Sequence, residues 1–131
     1  MIQVVAAIIL KDGFIFIAQR PSFDDLAFKW ELPGGKIEPG EKPKESLCRE
    51  VAEELQMEIA VGDFLGESIY AYPKITVKLL AYWAKWIKGE PKLSFHAAYN
   101  WITVNQLEDY DFAPADIPLI NKIQVNWNIS C

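Results

Sequence analysis

The chain predicts an α/β fold: a mixed sheet with helices packed on its faces. Three observations carry that expectation. Runs of β-branched and apolar residues open the chain. One helix follows a glycine-rich loop, with Leu47, Val51 and Leu55 at helical spacing, and a second periodic stretch, Ile117, Ile120 and Ile123, lies near the end. The 131 residues suit one domain, expected over 1–131, and 51% hydrophobic with 24% charged residues is the balance of a chain that builds a core. Thirteen basic against eighteen acidic side chains leave a net charge of -5, which repels polyanionic DNA or RNA. A nucleic acid polymer is therefore not expected as partner. A small phosphorylated ligand remains compatible, because clustered carboxylates bind cations that reverse the local sign.

Gln3 to Leu10 and Phe14 to Ala18 read as two antiparallel strands joined at Asp12-Gly13, a pair suited to a tight hairpin turn. Periodicity is lost from Pro21 to Lys29. Trp30-Glu31-Leu32 then leads into Pro33-Gly34-Gly35, so this stretch is expected to be loop with a short strand. Pro43 fits a first helical position, and the helix is expected from about Lys42 to Gln56. Ile59 to Tyr70 and Ile75 to Ile87 read as long strands joined at Tyr72-Pro73-Lys74, and Tyr99 to Val104 as one more strand before the closing helix. The longest strongly apolar run, Ile2 to Leu10, is far short of a membrane span and lacks a basic segment before it, so a cytoplasmic protein with no membrane partner is expected. Cys48 and Cys131 form no metal-type spacing and are expected to stay reduced.

The first helix has its charges in the wrong order. Glu50, Glu53 and Glu54 stand at i, i+3 and i+4 on one face toward its negative C-terminal end, while Lys42 and Lys44 sit at its positive end. Each like-charge pair costs an exposed helix roughly 0.2 to 0.5 kcal/mol, and Arg49 alone cannot neutralise three carboxylates. A hard divalent cation fits: Mg2+, with Mn2+ as its substitute, favours carboxylate, carbonyl and phosphate oxygens. The glycines at 34 and 35 allow close backbone approach, and Glu41 with Arg49 is placed to pair across the loop. The bland alternative is a solvated acidic face.

Gly35, Glu41, Arg49, Glu50, Val51, Glu53, Glu54 and Met57 fall at the spacing of a known box, and the chain resembles the Nudix hydrolases. The six Gly, Glu and Arg matches would arise by chance on the order of 10⁻⁵ of the time. Gln56 stands where that family carries a helix-ending glycine. Ala18-Gln19-Arg20-Pro21, Trp30-Glu31 and the string Ala113 to Leu119 are similar to the MutT-like branch of nucleotide pyrophosphohydrolases, and within it to CTP pyrophosphohydrolases. The resemblance implies an alpha/beta/alpha sandwich with the box helix and a C-terminal helix on its faces. It also implies Mg2+-dependent hydrolysis of a nucleoside triphosphate to the monophosphate and pyrophosphate, and a monomer or homodimer.

On that resemblance Glu50, Glu54 and the Gly34 carbonyl are metal ligands, Glu53 is a ligand or base, and either Glu50 or Glu53 takes the proton of water. Arg49 and Glu41 are positioning residues, Gly35 is structural, and Arg20 contacts phosphate or nucleotide. Lys74 is placed to reach a phosphate, while Leu32, Ile75 and Val77 offer apolar walls or simply core. Asp116 is either a base-reading side chain, accepting from an exocyclic amine as an ionised carboxylate does, or the cap of the last helix. Relatives often carry a further acid after a histidine, but His96 is followed by Ala97 and Ala98; His96 itself reads as a surface or packed residue. Cytidine-type or modified nucleotides are favoured. An oxidised purine nucleotide and a catalytically weak nucleotide-sensing module are the alternatives.

Overall fold

The computed structural model describes residues 1–130, so the expectation for Cys131 lies outside the described residues. Strands β1 (Ile2–Lys11) and β2 (Phe14–Gln19) form the opening hairpin, with Leu10 opposite Ile15 and Lys11 opposite Phe14. Asp12 and Gly13 both take positive φ, at 51° and 84°, as a two-residue turn matched to strand twist requires. Two short strands, β3 (Trp30–Glu31) and β4 (Gly34–Lys36), flank Leu32-Pro33 and precede helix α1 (Pro43–Leu55). Long strands β5 (Glu58–Ala71) and β6 (Thr76–Lys88), then β7 (Ala98–Ile102), a 3-10 turn over Val104–Asp109 and helix α2 (Ile117–Ser130) complete the order.

The sheet is mixed, ordered β3-β2-β1-β6-β5, with β7 on β2 and β4 on β1. β1 runs parallel to β6 from Ile2 opposite Val77 to Leu10 opposite Lys85. Being central, β1 is buried on both faces from Val5 to Ile9, which explains its continuous apolar run in place of alternation. Successive residues serve two cores. Ala6, Ile8, Ile15 and Ile17 pack with Leu119, Ile120 and Ile123 of α2, whereas Val5, Ala7, Ile9 and Phe16 pack with Leu47, Val51 and Leu55 of α1. The result is the expected α/β arrangement, a mixed sheet between the two helices.

Three details depart from the sequence expectation. Gly34–Lys36, read as loop, pairs antiparallel with Val4 to Ala6 of β1, taking the edge that β2 leaves after two paired residues. The strand expected over Tyr99 to Val104 ends at Ile102, because Thr103 N–H donates to Gln106 Oε1 at 2.9 Å and its carbonyl accepts from Gln106 N at 3.0 Å, which winds the chain into the 3-10 turn. Helix α1 stops one residue short of Gln56, which adopts a left-handed conformation, φ 56°, and donates its N–H to Ala52 O at 3.1 Å. Among the described residues no helix is long and apolar enough to cross a membrane.

Candidate active site

Helix α1 and strand β4 meet along one side of a cleft of about 700 Å³ whose lining includes Arg20, Glu31, Leu32, Gly34, Gly35, Glu50, Glu54 and Phe95. The helix face that carries the carboxylates is set by the opposite face: Leu47, Val51 and Leu55 are buried against β1, so Glu50 and Glu54 turn toward the loop. The two glycines permit this approach. A Cβ on Gly34 would stand 1.8 Å from Val5 O, and one on Gly35 would stand 2.3 Å from the Glu50 carboxyl. Only a residue without a side chain lets β4 lie on β1 while Glu50 lies on β4.

Arg49 gathers the carboxylates around the loop. Its Nε donates to Glu41 Oε2 at 2.6 Å and its Nη2 to Glu41 Oε1 at 2.9 Å, a two-pronged bond that joins helix to loop. Hydrogen bonding to Arg49 holds the Glu41 carboxyl well below its ordinary value, at about 2. The Arg49 Nη1 also donates to Glu50 Oε1 at 3.0 Å and to Glu53 Oε2 at 3.1 Å. Glu53 is exposed and does not line the cleft. Glu54 is not among the carboxylates Arg49 pairs with; burial, then the charge of Glu50, pushes its carboxyl up to about 7.

A second network closes the far wall. Arg20 donates from Nε and Nη2 to the two oxygens of Asp24, at 2.5 and 2.9 Å, and from Nη1 to Glu31 Oε1 at 2.8 Å. These bonds, that with Asp24 foremost, raise the Arg20 guanidinium above its ordinary range. Glu31 Oε2 accepts from His96 Nε2 at 2.7 Å. His96 is a buried residue, not a surface one, and its Nδ1 is the buried side-chain polar atom left without a partner among the described residues. Its loop is pinned on both sides, by Ser94 Oγ donating to Glu54 O at 3.0 Å and by Ala97 N–H donating to Gln19 O at 2.9 Å. That loop brings Phe95 into the cleft, its ring centroid 5.4 Å from the Arg20 guanidinium carbon.

Lys74 and Asp116 do not line the cleft, although Leu32 beside Asp116 does. Among the described residues no bond joins the Asp116 side chain to the first turn of α2. Its Oδ2 accepts from Leu32 N–H at 2.9 Å, while its backbone carbonyl accepts from the Leu119 and Ile120 amides, and the neighbouring Ala115 N–H donates to Tyr72 Oη at 3.1 Å. Burial pushes the Asp116 carboxyl well above its ordinary value, and the charge of Glu31 adds to the effect. Ile75 is exposed and Val77 half-buried against the α2-side core. Sequence reasoning used Glu31 only as part of a resemblance and passed over Asp24 and Phe95. The signal for Glu31 was its position three residues ahead of the glycine that β4 lays on β1.

Among the described residues no three His, Cys, Asp or Glu side chains already converge as a metal cage. The donor set nonetheless fits a hard divalent cation. Glu50 and Glu54 share one cleft with a glycine strand, all available donors are oxygens, and Glu54 is a half-buried carboxylate beside another, which favours a proton or a cation.

The chain and its fold have known relatives. Residues 4–122 match the family described as NUDIX domain. The chain is 40% identical over 120 residues to the Escherichia coli protein named CTP pyrophosphohydrolase, covering 92% of this chain and 89% of that one. It is 41% identical over 116 residues, 86% of this chain and 81% of the other, to a Mycobacterium tuberculosis protein provisionally named 8-oxo-dGTP diphosphatase 2. The solution structure of the E. coli ORF135 protein superposes with a TM-score of 0.85 at 36% identity, over 98% of this chain and 92% of that one.

Proposed function

From a chain that belongs to the Nudix hydrolases and is a pyrophosphohydrolase of nucleoside triphosphates, we propose that the preferred substrate is a cytidine-type or modified triphosphate. The reaction adds water across a phosphoanhydride, so that the monophosphate and pyrophosphate leave. The observation that carries the activity is the convergence of Glu50 and Glu54 on a glycine strand inside one cleft.

The family implies a divalent metal, and we assign Mg2+, with Mn2+ as substitute, to Glu50, Glu54 and the Gly34 carbonyl, with Glu53 within the same helical face. Held by these residues, such an ion would supply charge neutralisation at non-bridging phosphate oxygens and a more acidic water. The residues of the chain supply the rest. Glu50 Oε1 is engaged by Arg49, and Oε2, over Gly35, is the oxygen we assign to take the proton from water. Arg49 holds Glu50 in that orientation, and Glu41 holds Arg49. Arg20, braced by Asp24 and Glu31, is positioned for phosphate oxygens on the opposite wall.

The relative named CTP pyrophosphohydrolase supports cytidine as the base. A second reading has its own support. The relative provisionally named 8-oxo-dGTP diphosphatase 2 is as similar to this chain, at 41% identity, as the cytidine-named one. It supports an 8-oxo-dGTP-type purine as the alternative substrate. The test is a panel of CTP, dCTP, UTP, dGTP and 8-oxo-dGTP with Mg2+, followed by pyrophosphate release. Glu50→Gln and Glu54→Gln are expected to lower kcat by about 10²-fold or more. Unchanged turnover in both variants would refute the site.

A further inference from the structure

Four polar side chains from three separate segments stand in line beside the cleft, and the last of them is hidden. Asp24 binds Arg20, Arg20 binds Glu31, and Glu31 binds His96, with every link between 2.5 and 2.9 Å. Arg20 and Glu31 line the cleft, whereas the His96 side chain, 1% exposed, stands behind Glu31 and does not itself line the cleft. A buried imidazole with one nitrogen unpartnered is an unfavourable way to fill space, and an apolar ring would fill it without that penalty. What the imidazole adds is the bond from Nε2 to Glu31.

That bond settles the disposition of its neighbours. With Oε2 held by His96 and Oε1 by Arg20, both Glu31 oxygens are engaged, so Glu31 is fixed as a brace. Of the five N–H bonds of Arg20, two go to Asp24 and one to Glu31, leaving one on each terminal nitrogen. Two N–H groups on a planar fork suit two anionic oxygens, and Phe95 over the guanidinium restricts the rotation of that plane. We propose that His96 is a positioning residue: it locks Glu31, and through it the guanidinium of Arg20, in the orientation that receives the phosphate chain of the substrate. The inference rests on the nucleoside triphosphate reading above and adds the residue that sets its phosphate contact.

The test is a double-mutant cycle on the full chain with His96→Phe, Arg20→Ala and the two combined. Two readouts are taken: kcat and KM for CTP and 8-oxo-dGTP with Mg2+, and the Kd for inorganic tripolyphosphate by calorimetry. Each single variant is expected to raise KM and Kd about tenfold with little change in kcat, and the double variant to be no weaker than Arg20→Ala within about twofold. His96→Gln, whose Nε2 reaches the same oxygen, is expected to recover to within about threefold of the parent, and the shorter His96→Asn is not. If the two single effects multiply in the double variant, or His96→Phe binds like the parent, the proposal is overturned. Should His96→Phe not fold, equal behaviour of the Gln and Asn variants overturns it instead. A parent that binds tripolyphosphate but turns over neither nucleotide refutes the substrate reading and leaves the cycle in Kd to judge His96; a parent that does not bind tripolyphosphate overturns the inference.

Discussion

Adding one methyl group at either of two adjacent glycines separates the site from the fold. A Cβ at Gly35 would stand 2.3 Å from Glu50 Cδ and Oε2, against an ordinary contact of 3.4–4 Å, so the carboxylate must retreat by about 1 Å. The atoms met are the far end of the Glu50 side chain, so the retreat disturbs its bond to Arg49 and leaves the backbone in place. A misplacement of about 1 Å at a reacting group lowers the rate by about 10²-fold, equivalent to roughly 2.7 kcal/mol in the barrier. A Cβ at Gly34 meets a different object, the Val5 carbonyl at 1.8 Å and Ala6 Cα at 2.9 Å, both backbone of the central strand. Gly34→Ala must therefore part β4 from β1, and is expected to lower stability by several kcal/mol, a large share of what holds a domain of this size. The assay pairs thermal melting with pyrophosphate release. Gly35→Ala is expected to melt within about 2 °C of the parent and to lose about 10²-fold in kcat, whereas Gly34→Ala melts far earlier. Activity of Gly35→Ala within threefold of the parent would refute the placement of Glu50 as a reacting group, and equal melting losses in both variants would refute the distinction drawn between side chain and backbone.

Two further outcomes follow from the same geometry. Gln56 sits at φ 56° at the end of α1, where a Cβ is strained, so Gln56→Gly is expected to stabilise the protein by about 0.5 to 1 kcal/mol, raising Tm by about 3 °C without altering KM; a lower Tm would contradict it. For Asp116 the folded carboxyl titrates above the ordinary value of 3.8, so the folded state binds that proton more tightly than the unfolded one. Its contribution to stability is then fully present below that value and is lost as pH rises through the raised folded value. Asp116→Asn keeps an oxygen for Leu32 N–H and removes the titration. Chemical denaturation across pH should show the variant gaining on the parent as pH rises above about 4, and parallel curves would refute the buried ionisation.

How much of this was legible in the chain depends on the range of the interaction concerned. The β1–β2 hairpin and α1 were readable because their causes are local: Asp12-Gly13 needs two positive φ angles, and Leu47, Val51 and Leu55 recur every fourth residue. Gly34–Lys36 was not, since Pro-Gly-Gly signals a turn and becomes a strand only because β1 offers a free edge there. His96 and Glu31 are 65 residues apart, and nothing in either neighbourhood announces their bond. The charge order of α1 lies between these cases. Its sequence says that carboxylates exceed their local cation, but not which one goes without. Arg49 reaches Glu41, Glu50 and Glu53 directly and Glu38 at 3.8 Å, so one guanidinium serves more acids than counting charges along the helix allowed. Glu54 is left outside that set, half-buried against Glu50, with its carboxyl pushed to about 7. The excess of negative charge that the sequence spreads over Glu50, Glu53 and Glu54 is thereby concentrated at one cleft position, where low exposure strengthens its attraction for a cation and the neighbouring glycines leave room for the phosphates that would accompany it.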